Sequence, residues 1–181
     1  MPIHTLCADI TTVHADAIVN AATPSLLGGG GVDGAIHHAA GAQLLAACRA
    51  LPQSAPGIRC TTGEARLTPA FALPARWVIH TVGPIWRGGD AHEAEMLERC
   101  YRNACRLLRE HGGRSIVFPA ISCGVYGYPA SPAAAIASAT LCDELQRDAS
   151  LDITLCCFNA GMQTIVQGAV DVAVAAASHT R

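Results

Sequence analysis

The run Asp16-Ala17-Ile18-Val19-Asn20-Ala21-Ala22-Thr23-Pro24-Ser25-Leu26-Leu27-Gly28-Gly29-Gly30-Gly31-Val32-Asp33-Gly34-Ala35-Ile36-His37 decides the fold. Ala17 to Asn20 is a short apolar stretch that predicts a buried strand. From Val32 to Leu51 the apolar residues Ile36, Ala39, Ala40, Leu44, Leu45 and Cys48 recur at helical spacing, and Pro52 stops the pattern. Four consecutive glycines join strand to helix. Such a junction brings free backbone N–H groups and the positive end of a helix dipole together, and both favour an anion. One Gly-x-x-Gly would read as a tight turn. Four glycines in a row point to phosphate.

A second segment shares the design. After a predicted strand at Ser115 to Phe118 comes Pro119-Ala120-Ile121-Ser122-Cys123-Gly124-Val125-Tyr126-Gly127-Tyr128, leading to a predicted helix from Ser131 to Arg147 with Pro132 in its first turn. Two such loops facing one crevice are expected to grip both phosphates of a pyrophosphate without a lysine. The composition agrees, because all 12 basic residues are arginines and they are scattered. Neither loop has the Gly-x-Gly-x-x-Gly spacing of a dinucleotide fold or the lysine of a nucleoside-triphosphatase loop.

The rest of the chain alternates strand and helix patterns. Ile3 to Ile10 reads as a strand, as do Glu64 to Thr68 and Arg76 to Val82, the last two separated by a turn at Leu73-Pro74. Glu93 to His111 reads as a helix stopped by Gly112-Gly113, Ile153 to Phe158 as a strand, and Met162 to Ala177 as a final helix. The alternation predicts an α/β domain with a largely parallel sheet, made mixed by the consecutive pair at Glu64 to Val82. Pro52 to Thr62 is expected to be a surface loop. No linker or repeat interrupts the chain, so residues 1–181 read as one domain.

With 51% hydrophobic and 14% charged residues, 181 residues suffice for a substantial core. A net charge of −2 with no basic run argues against nucleic acid as a partner. No run of about twenty apolar residues suggests a membrane span, and Met1 to Thr12 lacks the features of a signal peptide. The 9 cysteines are odd in number, without Cys-x-x-Cys or paired histidine spacing. They are expected to be reduced thiols in a cytoplasmic protein, with no zinc site.

The opening run resembles the signature of MacroD-type macrodomains, the group that contains bacterial O-acetyl-ADP-ribose deacetylases. Further resemblances follow in order: Ala39-Ala40-Gly41, Thr62-Gly63-Glu64-Ala65, Leu73-Pro74-Ala75, Val78-Ile79-His80-Thr81-Val82-Gly83-Pro84-Ile85-Trp86, Phe118-Pro119-Ala120-Ile121-Ser122 and Gly124-Val125-Tyr126-Gly127-Tyr128-Pro129. They extend from about Leu6 to Phe158 and weaken after Pro132. The resemblance implies a three-layer α/β/α macrodomain with a central mixed, largely parallel sheet and one crevice for ADP-ribose. It implies a hydrolase that removes an acyl ester from the distal ribose without metal or organic cofactor. The expected partners are ADP-ribose, O-acetyl-ADP-ribose and proteins mono-ADP-ribosylated on Asp or Glu.

Roles follow from the same resemblance. Asp9 would accept a hydrogen bond from the adenine amino group, with the Ile10 backbone beside it. Phe158 would pack on the adenine face; from the residues alone, a Phe in an apolar strand also suits the core. Asn20 would hold loop geometry through side-chain-to-backbone bonds. Gly31, Val32, Ser122, Cys123, Gly124, Val125 and Tyr126 would cradle the diphosphate, with Tyr126 also walling the distal ribose. Asp33 would orient or deprotonate a water, and His37, one helical turn on, would support Asp33 or the ligand.

Two positions depart from the family pattern. Thr23 stands where a second Asn, counted as catalytic with the aspartate, is usual, and Thr offers a hydroxyl in place of an amide. This departure keeps open a second function, a non-catalytic or weakly catalytic reader of ADP-ribose. Cys123 replaces a Thr; a thiol nucleophile there would need a lowered pKa, but no partner base is evident.

Overall fold

A computed structural model describes residues 3–179. In chain order the elements are β1 (Ile3–Cys7), a 3-10 turn (Ile10–Thr12), β2 (Ala15–Ala21), α1 (Gly31–Ala40), α2 (Ala42–Ala50), β3 (Ala65–Pro69) and β4 (Ala75–Thr81). They continue with α3 (Glu93–Glu110), β5 (Ser115–Phe118), α4 (Ala130–Arg147), β6 (Asp152–Cys157) and α5 (Ala160–Ser178). The strands form one sheet in the order β1-β6-β5-β2-β4-β3. Every neighbouring pair is parallel except β3 with β4, so the sheet is mixed as the sequence predicts.

Alternation along the strands divides the core in two. Ala17 and Val19 of β2 join Ile79, Ile116 and Phe118 under α3, α4 and α5. Ile18 and Val78 face the other way and meet Ile36 and Ala40 of α1 and Leu44 and Cys48 of α2. Helices therefore cover both faces, giving the three-layer α/β/α architecture.

Several boundaries differ from the sequence reading. The first strand ends at Cys7, because Asp9 caps a 3-10 turn with its carboxylate accepting from the Thr11 N–H at 2.9 Å. The predicted helix from Val32 to Leu51 is two helices. Gly41, at φ 87°, ends α1 and starts α2, a backbone region that costs a residue with a Cβ and not a glycine. β2 runs longer than predicted, and the last strand stops before Phe158.

The stretch from Pro52 to Thr62 is only partly a surface loop. Arg59 and Cys60 are buried, and both donate their N–H to the Pro24 carbonyl, at 2.8 and 3.1 Å. The Arg59 guanidinium also donates to the Ser25 carbonyl at 3.1 Å, bracing the turn that precedes the four glycines. Among the described residues one helix, α5, has the length and composition of a membrane span, which the sequence reading did not register. Here it packs against α4, β1 and β6, with Val166 and Val170 in the core.

Candidate active site

β2 and β5 are adjacent parallel strands whose continuations diverge. The chain leaving β2 turns to α1 on one face of the sheet; the chain leaving β5 turns to α4 on the other. A crevice opens at such a switch point, beyond the carboxyl ends of the strands, and ligands of open α/β sheets bind there. It encloses about 210 Å³.

The two glycine-rich loops form its walls. Gly31, Val32, Asp33 and Thr23 come from the first; Ser122, Gly124, Val125 and Tyr126 come from the second. α1, which starts here, carries no side-chain cap. Within the first loop, Gly34 donates to Gly30 at 3.3 Å, but the N–H groups of Gly31, Val32 and Asp33 have no acceptor among the described residues. In the second, Cys123, Gly127 and Tyr128 donate into turns, and the N–H groups of Ser122, Gly124, Val125 and Tyr126 have no acceptor among the described residues. Unpaired amides of the first turn of α1 and of the second loop belong to residues that line one crevice. An anion with two phosphate groups satisfies them.

Close packing sets the distance between loop and sheet. Ser122 adopts φ 65°, and a Cβ on Gly83 would overlap its hydroxyl. Trp86 donates its N–H to the Tyr126 carbonyl at 2.8 Å and stacks at 4.6 Å on Tyr128. The Trp86 loop is in turn held by Glu93, whose carboxylate accepts from the N–H groups of Arg87, Gly89 and Ala91 at 2.7–3.1 Å. Burial alone would raise the Glu93 pKa; its own backbone N–H, together with these donors, holds it down at about 2.

Asp33 is 3% exposed. Its Oδ1 accepts from the Asn20 amide at 2.8 Å and lies 3.5 Å from His37 Nε2. Its Oδ2 has no partner among the described residues, and the residue lines the crevice. Burial raises its pKa, against the lowering effects of the Asn20 hydrogen bond and the His37 charge. One oxygen is anchored; the other is buried and unpaired among the described residues. That is the geometry of a base or water-orienting group.

Asn20 differs from its expected role. Its amide reaches the side chains of Asp33 and His80, at 2.8 and 3.2 Å, instead of loop backbone. Thr23 lines the crevice with its hydroxyl 3.4 Å from that of Ser25. His37 stands beside Asp33, behind the glycine run. The Cys123 thiol does not acquire nucleophilic character: burial pushes its pKa up to about 11, opposite to the lowering a reactive thiol needs.

Asp9, Ile10 and Phe158 stand outside the 210 Å³ crevice, at the ends of β1 and β6. Phe158 is 76% exposed and so is not a core residue. Asp9 uses Oδ1 for Thr11, whose hydroxyl and N–H lower its pKa, and keeps Oδ2 free of intramolecular bonds among the described residues. The Ile10 side chain is buried against the α1 face of the core, which leaves only its backbone for a ligand. Among the described residues no group of three His, Cys, Asp or Glu side chains is placed to hold a metal ion.

Ala21, Ala22, Gly83 and Ala120 also line the crevice, outside the positions singled out from the sequence. Gly83 carried the clearest available signal, a glycine directly after an apolar strand.

The family model for the macro domain matches residues 19–137, which spans β2 through α4 and both loops. The chain belongs to the macro domain family. This macrodomain is 54% identical over 179 residues to a macro domain-containing protein of Ralstonia nicotianae, covering 96% of this chain and 99% of that one. It is 59% identical over 133 residues to an O-acetyl-ADP-ribose deacetylase of Enterobacter cloacae, covering 74% of this chain and 73% of that one. Its fold matches the Oceanobacillus iheyensis macrodomain solved with ADP at a TM-score of 0.89 and 45% identity, covering 94% of this chain and 90% of that one.

Proposed function

We propose that this macrodomain binds ADP-ribose in the crevice between β2 and β5 and hydrolyses an acyl ester on its distal ribose. The observation that carries the reading is Asp33, a buried residue that lines the amide-lined crevice, tethered through Oδ1 and with a buried Oδ2 that has no partner among the described residues. Support also comes from the Enterobacter cloacae relative, named for O-acetyl-ADP-ribose deacetylation, and from the Oceanobacillus iheyensis macrodomain solved with ADP.

The loop amides hold the diphosphate and so place the distal ribose near Asp33. The Asp33 carboxylate takes a proton from a water as the water oxygen attacks the acyl carbon. The bond from that carbon to the ribose oxygen breaks, the ribose oxygen takes the proton held by Asp33, and carboxylic acid and ADP-ribose leave. The finer reading extends this to ADP-ribosyl esters on protein Asp or Glu, since the same bond is cleaved. The adenine end falls to Asp9, the Ile10 backbone and the exposed Phe158 ring. Nine free thiols support a reducing, cytoplasmic setting.

Wild-type chain with O-acetyl-ADP-ribose, assayed for acetate release beside Asp33→Ala, tests the reading. Removing the base should lower turnover about 10²–10⁴-fold while ADP-ribose affinity stays close to wild type. Equal turnover in the two chains would remove Asp33 from the chemistry.

One observation favours a second reading, a reader module. Thr23 presents no amide to the crevice, and its hydroxyl lies within 3.4 Å of Ser25. A large rise in deacetylation in Thr23→Asn would identify the natural chain as catalytically weakened.

A further inference from the structure

Asn20, His80 and Thr68 lie on three adjacent strands, β2, β4 and β3, and all three are buried. Asn20 and His80 are register partners across the parallel pair. The Asn20 amide nitrogen lies 2.8 Å from Asp33 Oδ1 and 3.2 Å from His80 Nδ1. That nitrogen carries two hydrogens and accepts none, so His80 Nδ1 is an acceptor. The ring proton then sits on Nε2, 2.9 Å from the Thr68 hydroxyl oxygen and 3.7 Å from the Cys48 sulfur. Burial keeps the ring neutral, pushing its pKa down to about 3.

The Asn20 oxygen, by contrast, has no partner among the described residues. Among the described residues nothing on that side holds the amide in place. A half-turn about the terminal bond would set this oxygen against Asp33 Oδ1, acceptor against acceptor. Asp33 itself disfavours that flip, and the acceptor on His80 adds the second hydrogen bond that holds the observed orientation.

We infer that His80 is a positioning residue: as the neutral Nε2–H tautomer it takes the second Asn20 amide hydrogen and so keeps the first directed at Asp33. The inference rests on the reading of Asp33 as the water-activating group. His80 does not touch the crevice; it acts through Asn20 on the direction of the Asp33 carboxylate.

Two measurements test it. Nitrogen-resolved NMR of wild-type His80 should show a proton on Nε2 alone throughout the neutral pH range. A proton on Nδ1 would overturn the inference whether or not the chain is a hydrolase. The second compares His80→Phe, which has no acceptor, with His80→Asn, whose carboxamide oxygen can stand near the place of Nδ1. In His80→Phe, kcat for O-acetyl-ADP-ribose should fall about 10- to 10²-fold, the scale of a misdirected catalytic group, with KM and ADP-ribose affinity near wild type. His80→Asn should recover most of the loss. Equal losses in two folded variants, or a change confined to KM, would overturn the inference. Absence of hydrolysis by the wild-type chain would remove the proposed reaction, and the NMR result alone would then decide whether His80 fixes Asn20.

Discussion

Asn20 and Asp33, thirteen positions apart in the chain, meet through an amide-to-carboxylate hydrogen bond of 2.8 Å with both side chains buried. The loop between them carries the four glycines that line or back the crevice. The contact therefore ties the end of β2 to the start of α1 and closes the glycine-rich loop on itself. It also gives Asp33 a fixed direction.

A carboxylate buried in this way opposes folding when charged. Its folded-state pKa is raised, so the stability linked to Asp33 is fully present below its unfolded pKa and is lost as pH rises through the folded value. Asp33→Asn should therefore show a Tm at neutral pH equal to or above wild type, with deacetylation nearly abolished. A clear drop in Tm would mean that the charged form stabilises the fold.

The same shift sets the acid limb of the reaction. Asp33 must be ionised to accept a proton, and His37, Tyr126 and Cys48 are the titratable groups whose charges couple to it. With the pKa raised by burial, kcat should begin to fall with decreasing pH above the range of an ordinary carboxylate, about 3.9. A pH–rate profile flat down to that range would place the essential base elsewhere.

Gly34 tests the shape of the first loop. A Cβ there would meet the Gly29 carbonyl oxygen at 2.5 Å, and backbone cannot move aside as a side-chain tip can. Gly34→Ala should cost about 1–3 kcal/mol of stability, the usual range for overpacking, and weaken ADP-ribose binding by displacing the glycine run. Calorimetry and thermal melts on the variant read both effects, and wild-type affinity would show that the run is not the phosphate cradle.

Cys123 provides the opposite case. Its thiol is protonated at neutral pH, with burial pushing the pKa to about 11. Cys123→Ser should retain most deacetylation, and iodoacetamide should leave the wild-type chain active. Loss of turnover in the serine variant with ADP-ribose affinity unchanged would reinstate the thiol.

The two loops were legible because glycine content and the strand-to-helix switch are local signals. Their meeting at one crevice followed from the α/β alternation. Gly41 was not legible, since the apolar spacing from Ile36 to Cys48 runs straight through it and an isolated glycine costs a helix only about 1 kcal/mol. The Asp9 turn was hidden by the same continuity of pattern. His80 looked like an ordinary residue of an apolar strand; only the register of β4 on β2 puts it beside Asn20. Arg59 lay in a polar stretch whose burial depends on a contact with Ser25, 34 positions away.

Titration calorimetry of the wild-type chain with ADP-ribose tests the central claim most directly, that unpaired amides from both loops take up the two phosphates. Saturable one-to-one binding is expected, weakened little by added salt because few charged side chains take part, and weakened strongly in Gly34→Ala. No heat and no thermal shift at millimolar ADP-ribose would contradict the account for hydrolase and reader alike.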